Sequence, residues 1–253
     1  MSRNLTKEEL IIHKNSALNA LDSYLQSMIN SSDKRINGKA DKLSYWLKDW
    51  TKFLNFENQF LPSSLKRYKR GEIIKVHLGY NIGSEEGGLH YAVVVEKDNS
   101  IHNPVITVVP LTSVKPNKDL SCLRSGEVIL GNELFIKFTA KFKELYNIAK
   151  SKNEDVQKKI DKIRDNAHIS PSDVKDAEEQ QRMVKERLDF LFKMRDEIAK
   201  MKKGSIALVN QITTVSKIRI YDPKTTKDML SGITLSNDGL DKIDKEIILK
   251  FTK

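Results

Sequence analysis

The sequence predicts an α+β protein, and three observations predict it. The densest run of β-branched residues lies between Arg70 and Ser113. From Asn132 to Lys203 the apolar residues recur at near-heptad spacing. Shorter stretches towards either end of the chain repeat theirs at three- and four-residue steps. The layout that follows is a helical extension over 1–66 and a sheet domain over 67–253, interrupted at 132–203 by an antiparallel helical hairpin. A last helix closes the chain.

The β-rich run reads as three strands, Glu72–Leu78, Leu89–Glu96 and Val105–Leu111. Their Val and Ile content suits a pleated, half-buried surface. Between the first two lies the loop from Gly79 to Gly88, long for a hairpin and carrying Gly79, Gly83, Gly87 and Gly88. Glycine is used where the backbone takes positive φ or comes close to a ligand. Loops held by a rigid sheet are where function concentrates.

Thr6-Lys7-Glu8-Glu9 has the capping-box form and opens a helix. Leu10, Ala17, Leu18, Leu21, Leu25 and Met28 form its apolar face. Ser31-Ser32-Asp33 breaks it. A second helix carries Leu43, Leu47, Trp50 and Leu54, with Trp46 and Phe53 beside them. The aromatic residues are of a kind that stacks on bases, but such a stripe is more often the core of a helical pair. Asn55–Ser64 reads as a linker. Lys66-Arg67-Tyr68-Lys69-Arg70 suits a phosphate backbone, and equally a solvated lead-in to the first strand.

Lys115–Ser125 is irregular and Gly126–Gly131 a short fourth strand. Phe138, Phe142, Leu145, Ala149, Val156 and Ile163 then mark one seam. Arg164–Ile169 turns the chain. Ser170 caps a second long helix with Pro171 at its first position. Val174, Ala177, Val184, Leu188, Leu191 and Ile198 face the first seam. At 1.5 Å per residue the hairpin spans roughly 45–50 Å; it reads as an arm or a dimerisation element. Gly204–Val209 resumes the strand pattern, Asn210–Lys217 reads as a polar turn, and Ile218–Tyr221 as a last strand. Ser236-Asn237-Asp238 starts the closing helix, with Leu240, Ile243, Ile247 and Phe251 inward.

Lysine and arginine number 44 against 34 acidic residues, a formal net charge of +10. That favours an anionic partner, nucleic acid before membrane, although solvated faces account for charge runs as well. Cys122 is the single cysteine, so no intrachain disulfide forms and a reducing compartment is expected. No run of ~18 apolar residues predicts a membrane span. The opening MSRNLTKEEL lacks the apolar stretch of a signal peptide. The expected location is the cytoplasm. His13, His77, His90, His102 and His168 are scattered without ligand-spaced partners, so neither a metal nor another cofactor is expected. Phosphate-loop and nucleophile-elbow motifs are absent.

Several separated segments, in order, resemble the MazF/PemK family of toxin endoribonucleases. They are Arg70-Gly71-Glu72-Ile73, then Gly83-Ser84-Glu85-Glu86-Gly87-Gly88 leading into Val93-Val94-Val95, then Val105–Thr112. Ser205–Thr214 (SIALVNQITT) with Ser216-Lys217-Ile218-Arg219 is similar to the family's LxxQIRTxDKxRL segment, and Leu235–Phe251 to its C-terminal helix. The first helices and the hairpin have no counterpart in small family members. The resemblance implies a small SH3-like β-barrel and a homodimer with a cognate antitoxin. It further implies metal-independent cleavage of single-stranded RNA to 2′,3′-cyclic phosphate and 5′-OH ends.

The family places an arginine just after the Gly-Gly of this loop and a threonine at the end of the third strand. Thr112 stands at the threonine position and His90 at the arginine position. Arginine stabilises a phosphorane by permanent charge. Histidine titrates near neutrality and serves as general base or acid. The catalytic candidates are therefore His90 and Thr112, with Ser113 able to replace the threonine. Arg70, Ser84, Glu85, Gly87, Gly88, Ser113, Gln211, Lys217 and Arg219 are the candidates for substrate binding, the cations supplying charge. Two readings stay open beside cleavage. One is a catalytically inactive barrel that binds RNA, DNA or protein; the other is a gyrase-directed toxin of the related CcdB type.

Overall fold

The organising strand is the third. In the computed structural model, which describes residues 4–116, 118–165 and 170–253, the elements in chain order are α1 (Lys7–Ile29), α2 (Lys34–Phe56), β1 (Ile73–His77), β2 (Leu89–Val94), β3 (Val105–Ser113), β4 (Glu127–Gly131), α3 (Glu133–Arg164), α4 (Pro171–Lys200), β5 (Ser205–Leu208), β6 (Thr213–Ser216), β7 (Ile220–Asp222) and α5 (Asn237–Phe251). The protein is a mixed α and β structure around a seven-stranded sheet ordered β4-β5-β3-β2-β1-β7, with β6 also on β3. The pairs β1–β7, β2–β3, β3–β5, β3–β6 and β4–β5 are antiparallel. Among the described residues no pairing joins β7 to β4, so the sheet is open along its hydrogen-bonded path.

β3 pairs β2 along one edge and two strands in turn along the other. Val105–Val108 face Ser216–Thr213 of β6, and Leu111–Ser113 face Ala207–Ser205 of β5. Pro110 explains where the switch falls. Val95 N–H donates to the Thr107 carbonyl at 3.2 Å, so the 95/107 pair is hydrogen-bonded. Alternation then makes Ala92 and Pro110 a non-bonded pair. The proline nitrogen faces the other edge, where β6 gives way to β5 and no donor is required.

β6 lies inside the segment expected as a polar turn, Asn210–Lys217. The turn is confined to Val209–Gln211, one short 3-10 turn. The other strands start and stop within a few residues of expectation, and β3 runs on through Thr112 and Ser113. The hairpin turn expected at Arg164–Ile169 falls largely, at 166–169 and with it His168, outside the described residues.

Two compact units divide the chain: one runs to Phe60 and takes in Leu78–Leu89, the other holds Leu61–His77 and His90–Lys253. In the first, Thr6 Oγ1 accepts from Glu9 N–H while Glu9 accepts from Thr6 N–H, the reciprocal capping box. Asp33 caps α2 through Arg35 N–H. Asn37 Nδ2 donates to the carbonyls of Met28 and Ile29, satisfying groups that the end of α1 leaves without helical partners. Met28, Ala40 and Leu43 are buried, with Leu21, Leu25, Ile36, Trp46, Leu47 and Tyr80 around them. Leu10 and Leu18, expected on the inner face of α1, are exposed. Only the C-terminal half of α1 contributes to this cluster.

In the second unit the sheet carries a deep core. Val93, Val109 and Leu111 pack with Phe138 of α3, Met194 of α4 and Ile243 of α5. Gly71 makes this packing possible at the start of β1. Its N–H bonds the Val94 carbonyl while Val94 N–H bonds the Glu72 carbonyl, a bulge with Gly71 at φ +83°. A Cβ there would lie 2.9 Å from Leu240 Cδ1. Tyr91 donates to Glu197 Oε1 at 2.6 Å, and Lys75 pairs with the same carboxylate; together they fasten the sheet to α4. Among the described residues no helix is long and apolar enough to cross a membrane.

Candidate active site on β2 and β3

In the β2–β3 register Ala92 stands opposite Pro110. Carried two residues further, it sets His90 opposite Thr112. This is again a non-hydrogen-bonded pair, the kind whose Cα atoms approach to about 4.5 Å and whose side chains lie closest. Strand alternation puts both on the face opposite Tyr91 and Leu111, which point into the core. The structure therefore brings His90 and Thr112 together. Both are half-buried.

His90 Nδ1 lies 3.2 Å from the Leu111 carbonyl oxygen. A carbonyl only accepts, so Nδ1 carries the proton and Nε2 is the basic nitrogen of the neutral ring. The imidazole is thus oriented by the backbone of the strand that bears Thr112.

Along β1 the bulge fixes Glu72 beside Val94; counting four residues on puts Val76 beside His90. Val76 in turn pairs with Ile220 of β7. One row therefore crosses four strands, Thr112, His90, Val76 and Ile220, with Arg219 next to its end. Arg219 Nε donates to the His77 carbonyl at 2.7 Å. Burial works against its charge and lowers its pKa, but a guanidinium stays protonated in proteins. At about 4.8 Å per strand spacing, Arg219 enters the row roughly 10 Å from His90.

Arg70 and Lys217 are not brought there. Arg70 donates to the Val95 carbonyl and pairs with Asp244 of α5, at the other end of β2. Lys217 is 1% exposed. Its Nζ donates to the Ser100 carbonyl at 2.8 Å and lies over the Tyr68 ring. Burial lowers its pKa, with Glu96 opposing. Lys66 and Tyr68 of the basic cluster are likewise spent internally, whereas Arg67 pairs at the surface. Lys66 makes a buried pair with Glu72 at 2.5 Å, Arg67 pairs with Asp98, and buried Tyr68 donates to the Pro223 carbonyl at 2.6 Å. Sequence alone gave no sign that Lys66 and Lys217 serve as internal struts.

Ser113 follows Thr112 on the strand and so takes the opposite face, beside Ser205. It does not stand in for Thr112. Gln211 ends the turn between β5 and β6, level with the middle of β3 where the neighbouring strand changes. Two residues near the site carried no distinguishing signal in sequence. His77 and Tyr221, on β1 and β7, have tilted rings with centroids 6.4 Å apart. Among the described residues no three His, Cys, Asp or Glu side chains gather at ligand distance, and Cys122 is exposed.

Ser84, Glu85, Gly87 and Gly88 lie on the loop, which belongs to the helical unit. The loop is closed on itself. Leu78 N–H donates to the Gly88 carbonyl at 2.7 Å and Gly88 N–H to the Gly79 carbonyl at 2.6 Å. Asn81 Nδ2 donates to the Glu86 carbonyl at 2.7 Å. Gly87 is required by close approach, since a Cβ there would sit 2.9 Å from the Gly79 oxygen. Tyr80 anchors the loop in the α1–α2 cluster.

Residues 69–167 match the family model described as PemK-like, MazF-like toxin of type II toxin–antitoxin system. The match spans β1 to β4 and runs through α3, so it includes His90, Thr112 and the loop between β1 and β2. No curated protein matches the chain. The strands that carry the His90–Thr112 pair thus lie within a segment that is similar to the PemK-like, MazF-like toxins.

Proposed function

We propose that the chain is a toxin-like endoribonuclease that cleaves single-stranded RNA without a metal. The observation that carries the reading is the cross-strand pair of His90 and Thr112, with the basic Nε2 of His90 fixed by the Nδ1 contact to Leu111. His90 takes the proton of the ribose 2′-OH. The 2′-oxygen attacks the adjacent phosphorus, and the bond to the 5′-oxygen breaks. The leaving oxygen is protonated by the imidazolium or by water, giving a 2′,3′-cyclic phosphate and a 5′-OH. Thr112 donates to a non-bridging phosphate oxygen. Arg219 supplies positive charge to the dianionic phosphorane. Gln211 holds a flanking nucleotide, and Ser84, Glu85, Gly87 and Gly88 bind RNA within their own unit.

The remaining family features belong to the same proposal. They are closure of the sheet into an SH3-like barrel, a homodimer, a cognate antitoxin and action in the cytoplasm. The domain layout does too, with an extension over 1–66 and a hairpin inserted at 132–203 into the domain 67–253.

Histidine in place of arginine favours one rival, a domain that binds nucleic acid without cutting it. The test is incubation in EDTA with a long mixed-sequence RNA and with DNA of the same sequence. Fragments from RNA ending in cyclic phosphate and 5′-OH, with the DNA intact, support cleavage through the 2′-OH. Cutting of both, or salt-sensitive binding with no cutting of either, removes the proposal.

A further inference from the structure

The α3–α4 hairpin carries a groove that the proposed chemistry does not use. Its cavity is about 670 Å³ and runs from Ala149 to Lys162 along α3, facing Gln180 to Arg187 of α4. The fourteen residues from Ala149 to Lys162 make the groove about 20 Å long. Lys152, Lys158, Lys159, Lys162 and Arg187 line it, against a single carboxylate, Asp155. Lys159 donates to Gln180 Oε1. The other four cations have no ion-pair partner among the described residues. Elsewhere on the same helices charges are balanced, as in Arg164 with Asp161 and Arg182 with Glu179. A second groove, lined by Glu178, Arg182 and Lys185, mixes both signs.

The floor is apolar. Val156 and Val184 lie beneath, and Met183 stands 54% exposed among the cations. Lysine stems add methylene surface. An unbranched, polarisable methionine is a side chain suited to adaptable apolar contacts. No aromatic ring lines the groove, so nothing there stacks a base.

We infer that this groove is a docking site for an acidic amphipathic helix of a partner protein. Three to four turns of helix match its length. An apolar stripe on the partner covers Met183, and flanking Asp and Glu meet the cationic rim. The inference stands apart from RNA cleavage, because it is read by binding alone.

The probe is a displayed library of helical peptides about 14 residues long, with polar positions free to be acidic, basic or neutral, selected on the full chain. The expected winners carry apolar residues at i, i+3, i+4 and i+7 flanked by acids. Their affinity falls at least about tenfold for the triple variant Lys152→Glu, Lys159→Glu, Lys162→Glu, and also falls for Met183→Ser. Circular dichroism checks that helix content is kept. If the triple variant loses helix, Lys158→Gln with Arg187→Gln replaces it. Failure to enrich peptides over the variant, or winners lacking either the acids or the apolar stripe, overturns the inference. So does a single-stranded RNA of about 20 nucleotides that loses binding in the same variant while no peptide does; that result gives the groove to nucleic acid.

Discussion

The two compact units of this chain are built to different depths. In the sheet unit Ile73, Ile74, Val76, Val93, Val94, Ile106, Val108, Val109 and Phe138 are wholly shielded from solvent. In the helical unit the cluster rests on Met28, Ala40 and Leu43, with larger side chains only partly covered. Full burial of an aliphatic or aromatic side chain contributes about 1.5–3 kcal/mol, so the sheet is the stable part. The candidate residues divide accordingly. His90 and Thr112 stand on strands in the deep core, whereas Ser84, Glu85, Gly87 and Gly88 stand on a loop whose anchor is the thin cluster. Segments with few buried contacts open first. The His90–Thr112 pair is thus held on the more deeply packed strands, and the glycine-rich loop rests on fewer buried contacts.

The largest expected effect tests the deep core. Phe138→Ala should lower the free energy of unfolding by about 3–5 kcal/mol, read from denaturant titration. A loss below about 1 kcal/mol would break the contrast between the units. Tyr80→Ala sharpens it from the other side. Tyr80 is half-buried, and its truncation should cost about 1–2 kcal/mol, locally. Amide exchange at Leu78 and Gly88 should quicken while the Val94 amide keeps its protection. Equal quickening at Val94 would mean that the two units open as one.

The smallest effect concerns the tie between sheet and α4. Burial pushes the Glu197 carboxyl up, but hydrogen bonds from Lys75 and Tyr91 outweigh it and hold the group below the usual carboxylate range. A depressed carboxylate stabilises the fold above the unfolded value, near pH 4.5, and that stability is lost as pH falls through the lowered value. Glu197→Gln should cost about 1 kcal/mol at neutral pH and show a shallower loss on acidification. Parallel curves of stability against pH for the two proteins would deny this tie its role.

Much of the sheet was legible because its strands are runs of Val and Ile bounded by glycine. β6 was not. Thr213-Thr214-Val215-Ser216 is short and polar, and only β3 makes it a strand, with Thr107 and Thr214 hydroxyls 2.9 Å apart across the pair. The α1 pattern was read as one continuous apolar face, yet Leu10 and Leu18 stay in solvent because the cluster takes only the end of the helix. Motif order picked out His90 and Thr112, and the strand register sets them on neighbouring strands, β2 and β3. The burial of Lys217 was not legible, since a buried lysine bound to a backbone carbonyl looks in sequence like any other lysine. Ser113 was misread for want of strand parity, because β3 continues two residues past its expected end. The docking of Tyr80 among helices far away in sequence carried no local signal.

The proposed function rests on cleavage by His90, opposite Thr112. The direct measurement is the rate of RNA cleavage in EDTA by folded wild-type protein and by His90→Ala, with end-group analysis of the fragments. Cyclic-phosphate and 5′-OH ends are expected from the wild type, and a rate about 10²–10⁴-fold lower from His90→Ala. Equal rates from the two proteins, or intact RNA after incubation with the folded wild type, would contradict it.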